Sequence, residues 1–395
     1  MLNDINITKL SGGLGRRAPE GDMISGLLAG GVAVTAGVQL ETVYRLASLQ
    51  DALLLGIDAD YDTTHAVLVY EHIKEFFRVN PNGELYLMLL PRTVDYAAML
   101  DPANTGNAKK LLVEAGGNIR QLGVAFNPEG TVPAIWTQTL AAIAKAQELA
   151  TDEYTLHRPV EILLEGKDFD ISATVDFRSL NAPNVAVMLG QAMSIASQPA
   201  FAKYAAIGTL LGAVSKARVN ESIAWVERFN LYGGTLEAIG LGGESLNTLS
   251  QGDLNTLDEN GAIFFRTHAG TPGIYLNDSH TCTHAADDYA YIENNRTIHK
   301  AVRNIRRALL PRLASPVLID QDSGQLSPEV VKSYESDGRR ALETLLSNGE
   351  VSAIDVYVDP AQNILASGEL KLAFSLIPTG TARRISVTIG FVNPF

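Results

Sequence analysis

Cysteine is nearly absent from this 395-residue sequence, which contains only Cys282. A single cysteine excludes a disulfide within the chain, and disulfides are the usual mark of a protein that folds in an oxidising compartment. The first residues, MLNDINITKLSGG, also lack the basic and then apolar pattern of a secretory signal peptide. These two absences predict a protein that is made and folded in the cytoplasm.

Positive charge is scarce as well. The sequence has 31 Lys and Arg against 44 Asp and Glu, a formal net charge of −13. Because binding to phosphates requires a basic surface, this balance argues against nucleic acid as the main partner. The longest apolar stretch near the front, MISGLLAGGVAVTAGVQL, is interrupted by glycines and polar residues and falls short of a membrane-spanning helix. We therefore expect no nucleic-acid binding and no direct insertion into a membrane.

Motifs for catalysis and cofactor binding are also missing. The segment GGLGRR, with Gly12, Gly13 and Gly15, lacks the Gly-Lys-Ser/Thr ending of a P-loop. No strong strand precedes it, as a dinucleotide-binding fingerprint requires. The Gly-x-Ser-x-Gly elbow of the α/β-hydrolases does not occur. We therefore predict that the protein is not an enzyme and that it needs no cofactor.

The densest group of potential metal ligands lies between residues 268 and 288. His280, Cys282 and His284 are two residues apart, so on a strand they would share one face and could hold zinc. The competing interpretation is a surface strand or loop in which Thr and His alternate. No fourth ligand stands out by its spacing, so we favour the second interpretation and predict no metal site.

Two domains are expected, because 395 residues exceed what one hydrophobic core usually organises. From about residue 40 to 220, helical patterns, including one over residues 65–77, alternate with short apolar runs. The runs are ELYLMLLP, RQLGVAF, PVEILLEG and NVAVMLG. This alternation is typical of a mostly parallel sheet. Residues 11–26 are glycine-rich and predict an irregular segment, and residues 221–285 predict turns and short antiparallel strands.

The last hundred residues predict two helices followed by three strands. The first helix carries an apolar stripe and ends before Pro311. The second begins at the N-cap Ser327, has Pro328 in its first turn and stops at Gly349. The stripe of the first helix is Ile298, Val302, Ile305 and Leu309. The strands are expected over residues 354–358, 370–376 and 385–391.

The third of these strands would have one apolar face. Its apolar side chains alternate with Ser386, Thr388 and Gly390, which is the period of a strand with one buried face. An unpaired strand of this kind promotes aggregation unless a partner covers it. The apolar residues are Ile385, Val387, Ile389 and Phe391.

Four segments of the C-terminal hundred residues, taken in order, resemble the conserved domain of contractile tail sheath proteins. They are NNRTIHKAVRNIRRAL, DSGQLSPEVV, LLSNGEVSAIDVYVDPAQNIL and SGELKLAFSLIPTGTARRISVTIGFVNPF. The front segment GGLGRRAPEGDMISGL is similar to the corresponding segment of a sheath-like subfamily in bacteria and phages. Sheath proteins occur in phage tails, R-type bacteriocins, type VI secretion systems and extracellular contractile injection systems.

The resemblance implies a two-domain protein of the α/β plus α+β class. Residues 1–25 would form an N-terminal arm and hinge, and residues 26–284 an outer α/β domain inserted into the inner one. Residues 285–395 would form the inner α+β sheath-core domain with a terminal arm strand. Sheath subunits are linked by terminal arms that add strands to a neighbour's sheet. The exchanged residues would be Ile5, Ile7, Ile385, Val387, Ile389 and Phe391.

The function that the resemblance implies is mechanical. Subunits would polymerise helically around an inner tube and then contract to drive the tube through a target envelope. Partners would be other copies of the chain, the inner tube protein, and baseplate and tail-terminator or cap proteins. The sheath would assemble in the bacterial cytoplasm, as part of a phage tail or of a tail-like particle that can be released. The hinge would contain Gly12, Gly13 and Gly15, and the tube contact Lys332, Arg339 and Arg340.

Two other functions stay open at this point. A metal- or nucleotide-dependent enzyme with a doubly wound domain would use residues 268–288 or 11–16. A capsid or other shell subunit would form closed particles instead of tubes.

Overall fold

A computed structural model of the chain describes residues 21–130, 132, 134–172, 175–321 and 324–391. The edge strand predicted within residues 1–10, with Ile5 and Ile7, lies outside these residues. The predicted hinge, with Gly12, Gly13 and Gly15, also lies outside them.

The described residues form 13 strands and 12 α-helices. The strands are β1 (Ile24–Gly31), β2 (Val43–Leu46), β3 (Glu84–Pro91), β4 (Gln121–Ala125), β5 (Glu161–Glu165), β6 (Val185–Met188), β7 (Gly190–Ala192), β8 (Ile239–Leu241), β9 (Glu244–Ser245), β10 (Phe265–His268), β11 (Thr271–Leu276), β12 (Val351–Val358) and β13 (Leu372–Pro378). The helices are α1 (Leu49–Leu54), α2 (Ala59–His65), α3 (Val69–Val79), α4 (Tyr96–Leu100), α5 (Ala108–Glu114), α6 (Ile135–Thr155), α7 (Met193–Ala196), α8 (Ile207–Lys216), α9 (Gln251–Glu259), α10 (Ile292–Leu309), α11 (Pro328–Ser347) and α12 (Ile364–Ser367).

A six-stranded sheet with the order β2-β3-β1-β4-β5-β6 organises the N-terminal part of the described chain. All neighbouring strands are parallel except β2, which pairs with β3 in the antiparallel direction. Each face of the sheet has its own hydrophobic core, so successive residues such as Leu27 and Leu28 are buried on opposite sides. Helices α3 and α8 cover one face, and α4, α5 and α6 cover the other. The predicted parallel sheet is therefore confirmed.

The central strand, β1, includes residues 24–26 of the segment predicted to be irregular, so the prediction is wrong for these three residues. Residues 11–20 of that segment lie outside the described residues. A Cβ atom on Gly26 would lie 3.0 Å from side-chain atoms of Ile119 and Leu122, and one on Gly31 would lie 2.9 Å from Leu89. The glycines of this strand therefore allow its neighbours to pack closely. Because β1 begins at residue 24, the N-terminal arm predicted over residues 1–25 overlaps its first two residues.

The helix predicted over residues 65–77 corresponds to α3, but it begins at Val69, and His65 is the last residue of a separate helix, α2. Between them, Ala66 adopts a left-handed conformation with φ of 50° and ψ of 53°. The carboxylate of Asp62 accepts hydrogen bonds from three backbone N–H groups at the start of α3, at 2.9 Å each. This cap satisfies groups that a helix start leaves without partners, and it therefore stabilises a break that the apolar period does not reveal.

In the C-terminal part, α10 and α11 pack against the antiparallel hairpin of β12 and β13. The hydroxyl of Ser327 accepts a hydrogen bond from the backbone of Val330, and Gly349 has a φ of 66°, as the predicted helix ends require. The strand predicted over residues 385–391 is not formed within its own chain. Residues 379–391 have no regular secondary structure.

Residues 221–285 form short antiparallel pairs, β8 with β9 and β10 with β11, as predicted. In the part of the chain that the structure describes, every helix is too short or too polar to cross a membrane.

Candidate functional site

The potential metal ligands around residue 282 do not share a face. Cys282 is fully buried in the core beneath the sheet, where burial raises the pKa of its thiol. His280 is also buried, with its imidazole 3.2 Å from a carboxylate oxygen of Asp258 and 3.0 Å from the guanidinium of Arg178. His284 is exposed. Across the described residues, no three His, Cys, Asp or Glu side chains are grouped closely enough to hold a metal ion.

Hydrogen bonds within the chain join the loops at the crevice where a doubly wound sheet usually binds its ligand. This crevice lies at the carboxyl ends of β1 and β4, where the strand order reverses. The amide of Asn127 donates to the carbonyl of Gly30 at 3.1 Å. The guanidinium of Arg92 donates to the carbonyls of His65, Asn127 and Pro128 at 2.7, 3.0 and 2.7 Å. These contacts hold the loops together at the place where a nucleotide would enter, so the geometry does not favour the enzyme alternative.

The C-terminal arm, defined as residues 379–391, carries four highly exposed large apolar side chains. The exposed fraction is 80% for Ile385, 81% for Val387 and 94% for Ile389, and Phe391 is fully exposed. All four alternate along an extended segment whose backbone belongs to no strand. Monomeric proteins rarely leave such a contiguous apolar surface uncovered, and such surfaces usually mark an interaction site. The arm therefore has the properties of one half of an interface.

In the described part of the chain, no third strand pairs with the hairpin of β12 and β13, so neither outer edge has a strand beside it. At the end of β12, the N–H of Val358 donates to the carboxylate of Glu335 at 3.2 Å. Two-stranded sheets are only marginally stable on their own. The edge of β12 borders a groove of about 560 Å³ between this strand and α11. The groove is lined by Ser336, Arg339, Arg340, Glu343, Leu346, Ser352, Ala353 and Ile354.

The predicted tube-contact residues Lys332, Arg339 and Arg340 all lie on the exposed side of α11. Arg339 forms an ion pair with Asp355 of β12 at 3.0 Å, with 56% and 69% of the two side chains exposed. A pair this exposed contributes about 0–1 kcal/mol. Arg340 lies 4.0 Å from Asp337 in the preceding turn. The sequence pattern did not predict that Asp355 and Asp337 lie beside these two arginines.

A buried charged cluster joins α10 to the six-stranded sheet. The guanidinium of Arg296 donates to the backbone carbonyls of Ala217, Arg218 and Asp22 at 3.1–3.2 Å. Burial lowers the pKa of Arg296 to about 10, so the group is still charged at neutral pH. Burial also acts to raise the pKa of Asp22, but its ion pairs with Lys300 and Arg303 of α10 outweigh this effect and lower the pKa. These ion pairs therefore attach Asp22, which lies two residues before β1, to α10.

Two neutral side chains complete this cluster. Glu161 of β5 and His299 of α10 face each other, with Oε1 and Nδ1 3.5 Å apart. Burial raises the pKa of Glu161 to about 8. Burial, together with the charges of Arg303, Arg296 and Arg120, lowers the pKa of His299 to about 3. Both shifts favour the neutral form of the side chain. The apolar stripe of this helix was predicted from the sequence, but the polar stripe beside it was not. The signal of the polar stripe is the i, i+3, i+7 spacing of Arg296, His299 and Arg303.

Two family models together match almost the whole chain. The model described as DUF2586, N-terminal domain, matches residues 2–280, and the one described as DUF2586, C-terminal domain, matches residues 288–395. No curated protein sequence matches this chain.

Several solved structures are similar to this chain over nearly its full length. The contracted helical sheath of the anti-feeding prophage gives a TM-score of 0.64 at 16% identity, over 99% of both chains. The contracted PVC sheath of an extracellular contractile injection system gives 0.59 at 13% identity, over 99% of this chain and 97% of the other. A sheath tail protein from Desulfitobacterium hafniense gives 0.52 at 11% identity, over 95% and 100%. At these identities the similarity concerns the fold.

Proposed function

Because this chain belongs to the DUF2586 family and has the fold of contractile tail sheath proteins, we propose that it is the structural subunit of a contractile sheath. Subunits polymerise helically around an inner tube and later contract to drive the tube through a target envelope. The observation that carries this proposal is the exposed apolar arm in a chain that also has an open two-stranded sheet. An arm and an edge of this kind are complementary.

In the proposed lattice, the arm of one subunit adds a strand to the hairpin of β12 and β13 in the next. Backbone hydrogen bonds supply the affinity, and the alternating side chains set the register. The apolar segment of the arm, residues 385–391, is about as long as the strands that would receive it, which have eight and seven residues. Because arm and edge are different surfaces of the same chain, the contact is heterologous, and it propagates as a helix when the rotation between subunits does not close a ring.

The N-terminal arm has the corresponding role at the second edge of the hairpin, through Ile5 and Ile7. Gly12, Gly13 and Gly15 lie between this arm and β1, and glycine tolerates the backbone changes that a hinge undergoes. On contraction, the two-domain subunits rearrange as nearly rigid bodies into a wider and shorter lattice. The energy is stored during assembly, so the protein is not an enzyme and needs no nucleotide.

The other partners in this proposal are the inner tube protein, the baseplate and a tail-terminator or cap protein. The sheath assembles in the bacterial cytoplasm and becomes part of a phage tail or a tail-like particle. Residues 26–284 face outward, and residues 285–395 face the tube.

The proposed function is tested by negative-stain electron microscopy of the purified protein without added ligand. We expect tubes or large helical oligomers. A discrete small oligomer that binds zinc stoichiometrically would contradict the proposal and support the enzyme alternative. Closed particles would support a shell subunit instead.

A second prediction concerns the grip on the tube. The α11 residues Lys332, Arg339 and Arg340 are proposed to contact an acidic tube through weak, salt-sensitive ion pairs. Replacing all three by Glu is expected to reduce co-assembly on the tube by about tenfold or more at low ionic strength, because up to about 1 kcal/mol is lost at each position. Co-sedimentation of sheath and tube across a salt series measures the effect.

A matched control reverses three partly exposed lysines on helices and loops of the α/β unit, whose side chains are 33%, 35% and 43% exposed. Lys110→Glu, Lys145→Glu and Lys203→Glu together make the same change in net charge, and each of these lysines also has a carboxylate within 4 Å. This variant is expected to co-assemble like the wild-type protein. Unchanged yield of the α11 variant at every salt concentration would show that this helix does not grip the tube.

A further inference from the structure

One side chain fixes the C-terminal arm to its own subunit just before the apolar segment begins. The Nε atom of Arg383 lies 3.1 and 3.0 Å from the two carboxylate oxygens of Asp278. Its Nη2 donates to the carboxylate of Glu293. The guanidinium also stacks on Tyr291, with Cζ 3.4 Å from the ring centroid. We refer to Arg383, Asp278, Glu293 and Tyr291 as the arm clamp.

The acidic side of the arm clamp is a built site for a guanidinium. Asp278 and Glu293 are both buried, with 8% and 4% exposed. Ser279 holds both carboxylates, since its backbone N–H donates to Asp278 at 2.8 Å and its hydroxyl donates to Glu293 at 2.5 Å. Two buried carboxylates so close together are costly without a cation between them. Arg383 supplies that cation, and its planar fork suits two carboxylates better than a lysine would.

The residues on either side of Arg383 are held much more loosely. Arg384, the next residue, is exposed, and the segment that follows has no secondary structure up to residue 391. On the other side, Gly380 has open space around it, and Thr379 is held by a hydrogen bond from Asn220 at 3.1 Å. The clamp is therefore a single strong attachment between two weakly held stretches.

We propose that the arm clamp divides the C-terminal arm into a root that stays on its own subunit and a transferable strand, residues 384–391, that a second copy of the chain receives. This inference rests on the proposed function, in which the arm enters a neighbour. The clamp then sets the length of the link between two subunits. Eight extended residues span at most about 26–29 Å, so the receiving edge lies within that distance of the clamp in both sheath states.

Two insertions of the same dipeptide test this division. Gly-Ser placed between Gly380 and Thr381 lies before the clamp, so the clamp absorbs it as a larger loop and the sheath lattice is expected to be unchanged. Gly-Ser placed between Arg384 and Ile385 lengthens the transferable link. It is expected to change the helical rise or diameter, or to lower the yield of tubes several-fold. Cryo-electron microscopy of the assembled tubes measures both. Equal effects of the two insertions would overturn the proposal.

Hydrogen exchange on the unassembled subunit tests the clamp independently of any lattice. The N–H of Arg383 donates to the carbonyl of Thr381 at 3.1 Å. Arg383→Ala is expected to speed exchange of this region at least tenfold. The matched variant Arg384→Ala, which removes the same side chain one residue later, is expected to leave it unchanged. Similar exchange in both variants would show that no clamp exists. Wild-type protein that forms no tubes but shows this difference would contradict the proposed function and leave the clamp standing.

The Arg383→Ala variant leaves two buried carboxylates without their cation, so it is paired with a second variant. Arg383→Met combined with Asp278→Asn and Glu293→Gln removes the charges together. In both variants we expect hydrogen exchange to speed up in the root, residues 379–383, because its attachment to the subunit is lost. Retained protection in the triple variant would contradict the clamp even if the single variant is poorly folded.

Discussion

Deletion of residues 385–395 is expected to leave a folded, soluble subunit that no longer forms tubes. In the described part of the deleted segment, residues 385–391, the large apolar side chains are at least 80% exposed and belong to no strand of their own chain. These residues contribute to no hydrophobic core, so we expect the free energy of unfolding to change by no more than about 0.5 kcal/mol. Assembly should be lost completely, because the contact that links subunits is missing. Thermal unfolding followed by circular dichroism and negative-stain microscopy measure the two effects.

Substitution of one face of the arm provides the matched control. Replacing Ile385, Val387 and Ile389 by Ser should abolish tubes as the deletion does, because these side chains share the face that a partner would bury. Replacing Ser386 and Thr388 by Ala changes the opposite face and should preserve assembly. If the truncated protein aggregates as misfolded material while the intact protein is monomeric, the segment belongs to its own core and the proposed strand exchange is wrong.

Arg296→Met is expected to have the largest effect on stability. The substitution keeps most of the side-chain volume but takes a donor from the backbone carbonyls of Ala217, Arg218 and Asp22. The carbonyl of Arg218 still accepts from the N–H of Glu221, and that of Asp22 from the amide of Gln121, but a cation near Asp22 and Glu293 is lost. Removing one partner from a buried charged cluster typically costs about 3–5 kcal/mol. We expect Tm to fall by roughly 5–10 °C. Hydrogen exchange should accelerate first in α10, which the cluster attaches to the sheet.

The exposed Arg307 on the same helix provides the control. Arg307→Met removes an identical charge from the surface, where substitutions usually change stability by less than about 0.5 kcal/mol. Equal Tm values for Arg296→Met and Arg307→Met would show that the buried cluster does not hold α10 against the sheet.

Much of the fold followed from local patterns. Apolar runs of four to eight residues between helical patterns predicted the buried strands β3 to β6, because a strand covered on both faces has little room for polar side chains. Ser327, Pro328 and Gly349 predicted the ends of α11, since capping depends on the few residues around each helix end. The break at Ala66 was missed because Asp62 reaches forward to cap the next helix, and hydrophobic periodicity does not register such a cap.

The candidate site was predicted only in part. The alternation that ends in Phe391 indicated an exposed strand, and the described part of the arm is exposed. The arm clamp carried no signal in the sequence, because Arg383 lies 105 residues from Asp278 and 90 from Glu293. The metal-like spacing around Cys282 was misleading, because residues 280–284 form only isolated bridges and no continuous strand.

The sequence alone determined features that depend on a few neighbouring residues. These are the buried strands of the parallel sheet, the ends of α11 and the alternation of apolar residues along the arm. These depend on side-chain period and on the conformational preferences of Gly, Pro and Ser. Tertiary structure alone decided that the glycine-rich segment at β1 is the central strand, that Arg296 is buried, and that Arg383 anchors the arm. In each case the deciding contact joins residues that are far apart in the chain, so its energy is absent from any local window of the sequence.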